Sequence, residues 1–136
     1  MKLIKIITHP ITLSISFLII IISGQHLGGF YLLYILLGLP HGSIHSIFGA
    51  AGVAILLFSS YKYRGKFNYL IEPCFNIVGI ILLSLSLFLF FYNDKDHYNY
   101  GTFYQTVPLA SLILFALLSI SFSITNIFKL FRQVAT

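Results

Sequence analysis

Residues Phe67–Tyr92 read FNYLIEPCFNIVGIILLSLSLFLFFY, and this stretch contains a single charged side chain, Glu72. About 20 apolar residues are enough for a helix to cross the hydrocarbon layer of a membrane, which is roughly 30 Å thick. A strand of a membrane barrel would instead alternate apolar and polar residues over ~10 positions. Because this run is apolar on every side, it predicts a transmembrane helix.

The rest of the chain contains further runs of the same kind. We predict transmembrane helices at about 4–24, 42–61, 67–92 and 106–128, and a short additional helix at about 30–38. The first run begins with lysines, but its apolar stretch exceeds the ~7–15 residues of a signal peptide and lacks a small-residue cleavage site. We therefore expect a retained helix. The predicted fold is an all-α integral membrane protein, one domain over residues 1–136, with four transmembrane helices.

The composition supports a membrane location and argues against nucleic-acid binding. The chain is 58% hydrophobic and only 8% charged, whereas soluble domains have roughly a quarter charged residues. Its surface must therefore be solvated mainly by lipid. The net charge of +5 comes from short basic clusters beside apolar runs rather than from a basic stripe, so we expect no nucleic-acid partner.

The basic residues predict the orientation of the chain. Seven of the eight fall on one side of the predicted helices: Lys2, Lys5, Lys62, Arg64, Lys66, Lys129 and Arg132. Lys95 alone is on the other side, where tyrosines 92, 98, 100 and 104 are expected at the membrane interface. The positive-inside rule then predicts that both termini are cytoplasmic. The abundance of Ile, Phe, Lys, Asn and Tyr is typical of an AT-rich coding genome and favours a bacterial cytoplasmic (inner) membrane.

The second apolar run is too long for one ordinary transmembrane helix. Gly29–Tyr61 has 33 residues, which would measure roughly 50 Å as a straight helix. Pro40 removes a backbone donor, and Gly38 and Gly42 loosen the helix on either side of it. We therefore predict a break here, with Phe30–Leu37 forming a short interfacial or re-entrant helix on the outer side. The alternative is one continuous, kinked and strongly tilted helix.

Histidines are concentrated on the predicted outer side. His41 and His45 are four residues apart and would share one helix face at a separation of about 6 Å, where two imidazoles could bind one metal ion. A mononuclear site needs three or four ligands. We therefore hypothesise an outer-face metal or proton site that His26, His97 or Asp94 would complete. The alternative is that water and nearby hydroxyl groups satisfy these side chains.

The segment around His41 also carries a short resemblance. The sequence GLPHG at Gly38–Gly42 is similar to a motif of the membrane β-carotene-cleaving oxygenases of the Brp/Blh kind, in which the histidine is thought to hold iron. The resemblance covers about five residues. That family uses further histidines in other helices, and it usually has an aspartate where this chain has His45. We make no family assignment from it.

Glu72 is the acid inside an apolar run. A carboxylate in the membrane is a candidate functional group, because placing it there is energetically costly. The alternative is an ion pair with a basic side chain at the same depth, for which Arg64, Lys66 and Lys129 are the candidates.

Small and hydroxyl-bearing residues are frequent in the apolar runs. Gly49 and Gly52 would let another helix approach closely, and Ser119 and Ser123 form a similar small-residue pair in the last run. We expect these residues to serve helix packing. A hydrophilic pore lining is the alternative, but the sequence contains no charged ring or filter-like segment.

Three classes of function are compatible with this sequence, which has no nucleotide-binding loop, catalytic triad or CxxC pair. The chain could be an accessory or interaction subunit of a larger membrane assembly, a small oligomeric channel or transporter, or a histidine-ligated metal or haem enzyme or electron carrier. The scarcity of ionisable groups within the runs favours the first. The expected partners are the lipid bilayer and other membrane subunits or a second copy.

Overall fold

The structure of the protein is a computed structural model that describes residues 6–62 and 71–134. Its elements are helix α1 (Pro10–Leu18), strands β1 (Ile21–Ser23) and β2 (Gly28–Phe30), and helices α2 (Tyr31–Gly38), α3 (Ile44–Lys62), α4 (Ile71–Tyr92), α5 (Gly101–Tyr104) and α6 (Thr106–Val134). Three of the helices are long and apolar enough to cross a membrane: α3, α4 and the Thr106–Arg132 part of α6. Their length and composition support a membrane-embedded protein, as the sequence predicts.

The helices form a four-membered bundle. α3 packs most extensively against α4, α6 packs against α4, and α1 fills the remaining position between α3 and α6. We call the end of the bundle at Tyr92 and Thr106 the hairpin end, because the β1–β2 hairpin lies there. We call the opposite end, at Lys62 and Lys129, the lysine end.

Glycines set the close approach of α3 and α4. A Cβ atom on Gly52 would lie 2.7 Å from Leu83 Cδ2 and 3.1 Å from the carbonyl oxygen of Gly79. A Cβ atom on Gly79 would lie 2.7 Å from Leu56, and one on Gly49 would lie 2.8 Å from the hydroxyl of Ser86. The backbones therefore approach so closely that no side chain fits between them, which confirms the close packing predicted for Gly49 and Gly52.

The first apolar run is not the continuous helix expected at about 4–24. Within the described residues, α1 ends at Leu18, and the chain then extends into β1, which pairs antiparallel with β2. Four consecutive isoleucines, residues 19–22, occupy the transition. β-Branched side chains disfavour helix slightly and suit a strand, and this local preference agrees with the observed change.

Polar groups from distant parts of the chain satisfy the backbone where α1 ends. The N–H of Ile21 donates to the Ser111 hydroxyl at 2.9 Å, and the N–H of Ser23 donates to the Thr102 hydroxyl at 2.9 Å. The N–H of Tyr31 donates to the carbonyl of Ile20 at 2.7 Å. A chain can leave the helical conformation among apolar surroundings only if its backbone finds such partners.

The second run breaks where the sequence predicts. α2 ends at Gly38 and α3 begins at Ile44, two residues later than the expected 42. Gly42 has a φ of 65°, a conformation that glycine adopts without strain. The N–H groups of His41 and Ser43 both donate to the carbonyl of Gly38 and close the turn.

The last two predicted helices are present with shifted ends. The third was expected at 67–92; α4 covers Ile71–Tyr92, and residues 67–70 lie outside the described residues. The fourth was expected to end near 128, whereas α6 continues to Val134.

Aromatic rings join α1 and α2 to the long helices near the hairpin end. Phe17 is fully buried, and its ring lies 5.2 Å from that of Tyr31 and 5.5 Å from that of Phe115. Tyr31 in turn contacts Phe90 at 5.2 Å, and its hydroxyl lies 2.9 Å from the Ser86 hydroxyl. Edge-on ring contacts of this kind stabilise a core beyond simple area burial.

Candidate functional site

The predicted His41–His45 pair does not form on a helix face. His41 lies in the turn before α3, because the Pro40–Gly42 segment ends α2 and α3 begins only at Ile44. Its Nδ1 atom lies 2.8 Å from the carbonyl oxygen of Leu37. His45 lies in the first turn of α3, half-buried, with its ring 5.2 Å from that of Phe90. Residues four apart share a face only within one helix, and His41 precedes the helix that contains His45.

The other predicted ligands take part in loop structure at the hairpin end. The ring of His26 packs on Tyr98 at 4.7 Å, and the ring of His97 packs on Tyr100 at 4.2 Å. The Asp94 carboxylate accepts hydrogen bonds from the backbone N–H groups of Tyr98, at 3.1 Å, and Asn99, at 2.7 Å. Across residues 6–62 and 71–134, no three or more His, Cys, Asp or Glu side chains come together in a group that could hold a metal ion.

An open cleft of about 530 Å³ lies between the two loops of the hairpin end. We call it the hairpin cleft, and it is lined by Ser23, Gly24, Gln25, His97, Tyr98, Tyr100, Gly101, Tyr104 and Gln105. The two loops are bonded together, since the N–H of Gln25 donates to the carbonyl of Tyr98 at 2.9 Å and Ser23 forms a bridge with Tyr100. The cleft is therefore part of the fixed connection between β1 and the segment before α6.

His97 has an uncommon backbone conformation at the rim of this cleft. Its φ is 57°, in the left-handed region that residues other than glycine rarely adopt. Its N–H donates to the carbonyl of Asp94, and its own carbonyl accepts from the N–H of Tyr100. Strained residues of this kind persist only where the surroundings hold them, and they are concentrated at functional sites.

Tyr34 lies close enough to this loop for the charge of Asp94 to affect its pKa. Its hydroxyl donates to the carbonyl of Leu27, at the tip of the hairpin. Burial raises the pKa of Tyr34 above its ordinary value, and the Asp94 carboxylate raises it further. The phenol therefore ionises at a higher pH than a free tyrosine and keeps the proton that it donates to Leu27.

A buried polar ladder joins the three long helices toward the lysine end. The Ser59 hydroxyl donates to Asn76 Oδ1 at 2.9 Å, and Asn76 Nδ2 donates to Asn126 Oδ1 at 2.9 Å. Asn126 Nδ2 then donates to the carbonyl of Phe122 at 2.8 Å. All three polar side chains of the ladder are 1% exposed. The sequence did not predict this ladder; the available signal was an asparagine inside each of two apolar runs, at positions 76 and 126.

Glu72 forms the ion pair that the sequence analysis gave as the alternative to a functional acid. Its Oε1 lies 3.3 Å from Lys129 Nζ, with the two side chains 34% and 47% exposed. Arg64 and Lys66, the other candidate partners, lie outside the described residues. Nearby, the ammonium group of Lys62 lies 5.1 Å above the centre of the Phe58 ring. Glu72, Lys129 and Lys62 thus lie at the chain's surface and each has a partner there.

No protein-family model, curated protein or solved structure matches this chain.

Proposed function

We propose that the chain is an accessory subunit of a larger membrane assembly and that it binds a partner helix along the exposed side of α6. The main support for this proposal is that the rest of the chain buries little of α6. Only 17% of its apolar stretch is buried, compared with 28% for α3 and 33% for α4.

The exposed side of α6 has the spacing of a helix-packing seam. Apolar side chains recur there at alternating steps of four and three residues: Ile113, Leu117, Ile120, Ile124, Ile127 and Phe131, each 43–71% exposed. This alternation is the heptad pattern that keeps one helix facing another at a crossing angle of about 20°. Four of the six residues are isoleucines, which have little side-chain freedom to lose on packing. We call this stripe the α6 seam.

The membrane arrangement that we propose has four crossings with both termini in the cytoplasm. Phe17 contacts Phe115, and Ile21 contacts Ser111, so the first run passes antiparallel to α6 through the same depth. Lys62, Lys129 and Arg132 lie at the lysine end, and in the sequence four further basic residues adjoin the segments that end there, so we place this end in the cytoplasm of a bacterial cell. The hairpin cleft then opens on the outer side.

The packing of apolar side chains inside the bundle gives less support to the channel or transporter alternative. Broken backbone at membrane depth is tolerated either where it is buried in protein or where it lines a water-filled cavity. Here Leu13, Phe17 and Ile20 are 0% exposed around the end of α1. The break at the end of α1 is thus buried among apolar side chains, which corresponds to the first of these two cases. The metal or haem alternative gains no support from the described residues, in which no three His, Cys, Asp or Glu side chains come together.

The test is purification of the tagged chain from its native membranes in a mild detergent. We expect a stoichiometric foreign subunit, which the double variant Ile120→Ala/Ile124→Ala loses. The matched control is Ile81→Ala/Leu85→Ala, which removes similar exposed side chains from α4 (52% and 39% exposed). Recovery of the chain alone, or retention of the partner by the seam variant, would contradict the proposal. A homo-oligomer that conducts ions in liposomes would favour the channel class instead, and bound metal or haem the enzyme class.

The arrangement in the membrane has a separate test. In a Cys74→Ser background, we expect a cysteine at Lys95 to react with a membrane-impermeant thiol reagent from outside the cell, and a cysteine at Gly65 to react only after lysis. The opposite pattern would invert the proposed topology.

A further inference from the structure

The hairpin cleft is a candidate binding site separate from the α6 seam, and it is lined by different kinds of side chain. Four rings, those of His97, Tyr98, Tyr100 and Tyr104, and two side-chain amides, those of Gln25 and Gln105, line it. Its volume of about 530 Å³ is in the range of small-molecule sites, ~300–1,000 Å³. Among the described residues that line it, none is Asp, Glu, Lys or Arg.

This lining suits a neutral ligand that has both apolar faces and many hydroxyl groups. Aromatic rings offer flat apolar surfaces with a polar group at one edge, while amides offer both donors and acceptors. A phosphate or carboxylate ligand would call for arginine or lysine, which form the strong charge-assisted bonds to such groups. Sugars combine C–H faces that stack on rings with hydroxyls that bond to amides. We propose that the hairpin cleft binds an uncharged carbohydrate, either a free glycan or the headgroup of a neutral glycolipid.

The cleft is also organised before any ligand arrives. Asp94 fixes the loop by accepting from two successive backbone N–H groups, and this holds His97 in its left-handed conformation against the ring of Tyr100. The bond from Gln25 to Tyr98 joins the opposite wall to the same loop. A site held in this way loses less conformational freedom on binding than a loose loop would. Tyr104, at 84% exposed, is the ring most open to a ligand.

The experiment uses the full-length chain in phosphatidylcholine nanodiscs, with two arms that separate the sources of the sugar. In the first arm, calorimetry measures binding of the neutral disaccharides maltose, lactose and chitobiose from solution. In the second, native mass spectrometry counts monoglucosyl diacylglycerol retained from nanodiscs that contain it, against phosphatidylglycerol at the same fraction. Tyr104→Ala and Gln105→Ala are the test variants. Tyr61→Ala is the matched control, because Tyr61 is 87% exposed but lies at the lysine end.

We expect saccharide binding in at least one arm, and the arm identifies the source. Tyr104→Ala should weaken it by roughly three- to ten-fold, the loss expected for one aromatic contact, with Tyr61→Ala unchanged. Absence of saccharide binding in both arms would overturn the proposal. So would saccharide binding that neither test variant weakens, or a preference for phosphatidylglycerol. None of these outcomes depends on the α6 seam.

Discussion

Asn76 on α4 donates a hydrogen bond to Asn126 on α6 at 2.9 Å, and both side chains are 1% exposed. The bond joins two membrane-length helices at a point where no water can replace it. Hydrogen bonds between transmembrane helices contribute ~0.6 kcal/mol on average and up to ~1.7 kcal/mol. A buried amide that loses its partner costs more, about 1–3 kcal/mol.

We predict that Asn126→Ala lowers the free energy of unfolding by about 1–3 kcal/mol, because it leaves Asn76 Nδ2 without an acceptor. Titration with SDS in mixed micelles measures the change. The double variant Asn76→Leu/Asn126→Leu should recover part of the loss, since it removes both polar groups together. Ser84→Ala, an exposed change on α4, is the control. Equal stability of Asn126→Ala and the control would exclude a role for the ladder.

We predict that Ser111→Ala destabilises the junction between α1 and β1 in particular. Its hydroxyl accepts the N–H of Ile21, and an unpaired backbone donor in apolar surroundings costs about 1–3 kcal/mol. Hydrogen exchange should accelerate at Ile21 and its neighbours. Ser121→Ala is a matched change on the same helix, because that hydroxyl donates to the carbonyl of Leu117 on its own helix. If both variants exchange alike, Ser111 does not hold the junction.

We predict that Gly52→Ala weakens the α3–α4 pair by about 1–3 kcal/mol, the usual cost of overpacking. The added methyl group would lie 2.7 Å from Leu83 Cδ2. A second change, Leu83→Val, shortens the obstructing side chain and should restore part of the stability. Ala54→Val adds volume on an exposed face of α3 and should change little. Loss of stability in the Ala54 variant equal to that in the Gly52 variant would show that crowding at the interface is not the cause.

We predict that breaking the Glu72–Lys129 pair has a small effect. Both side chains are about a third to a half exposed, and exposed ion pairs usually contribute less than ~1 kcal/mol. Glu72→Gln and Lys129→Met should each change the unfolding free energy by no more than that, with the same SDS titration as readout. A larger loss would instead indicate that Glu72 serves a role beyond this pair.

The features that the sequence predicts correctly are those decided locally. The apolar stretches of α3, α4 and α6 are long enough to define helices by themselves. The break between α2 and α3 follows from Pro40 and Gly42, whose backbone chemistry acts within a few residues. The approach of Gly52 to α4 depends only on the absence of a side chain.

The features that the sequence did not predict depend on distant partners. An apolar isoleucine run fits a buried strand as well as a helix, and the strand at Ile21–Ser23 is held by hydroxyls of Thr102 and Ser111. The His41–His45 hypothesis assumed a helix that had not yet begun at His41. The hairpin cleft is formed by two loops that are far apart in the sequence, so its tyrosines were expected only to mark the interface and His97 only to complete the hypothesised metal or proton site.

The hydrogen bonds that hold the end of the first run have a consequence for biosynthesis. The hydroxyl acceptors for Ser23 and Ile21 come 79 and 90 residues later in the chain. At ~5–20 residues per second of translation, roughly 4.5–18 s pass before both acceptors exist. During that interval the N–H groups of Ile21 and Ser23 lack the acceptors that they have in the folded protein. Strand β1 can therefore reach its final arrangement only after the first turns of α6 have been synthesised.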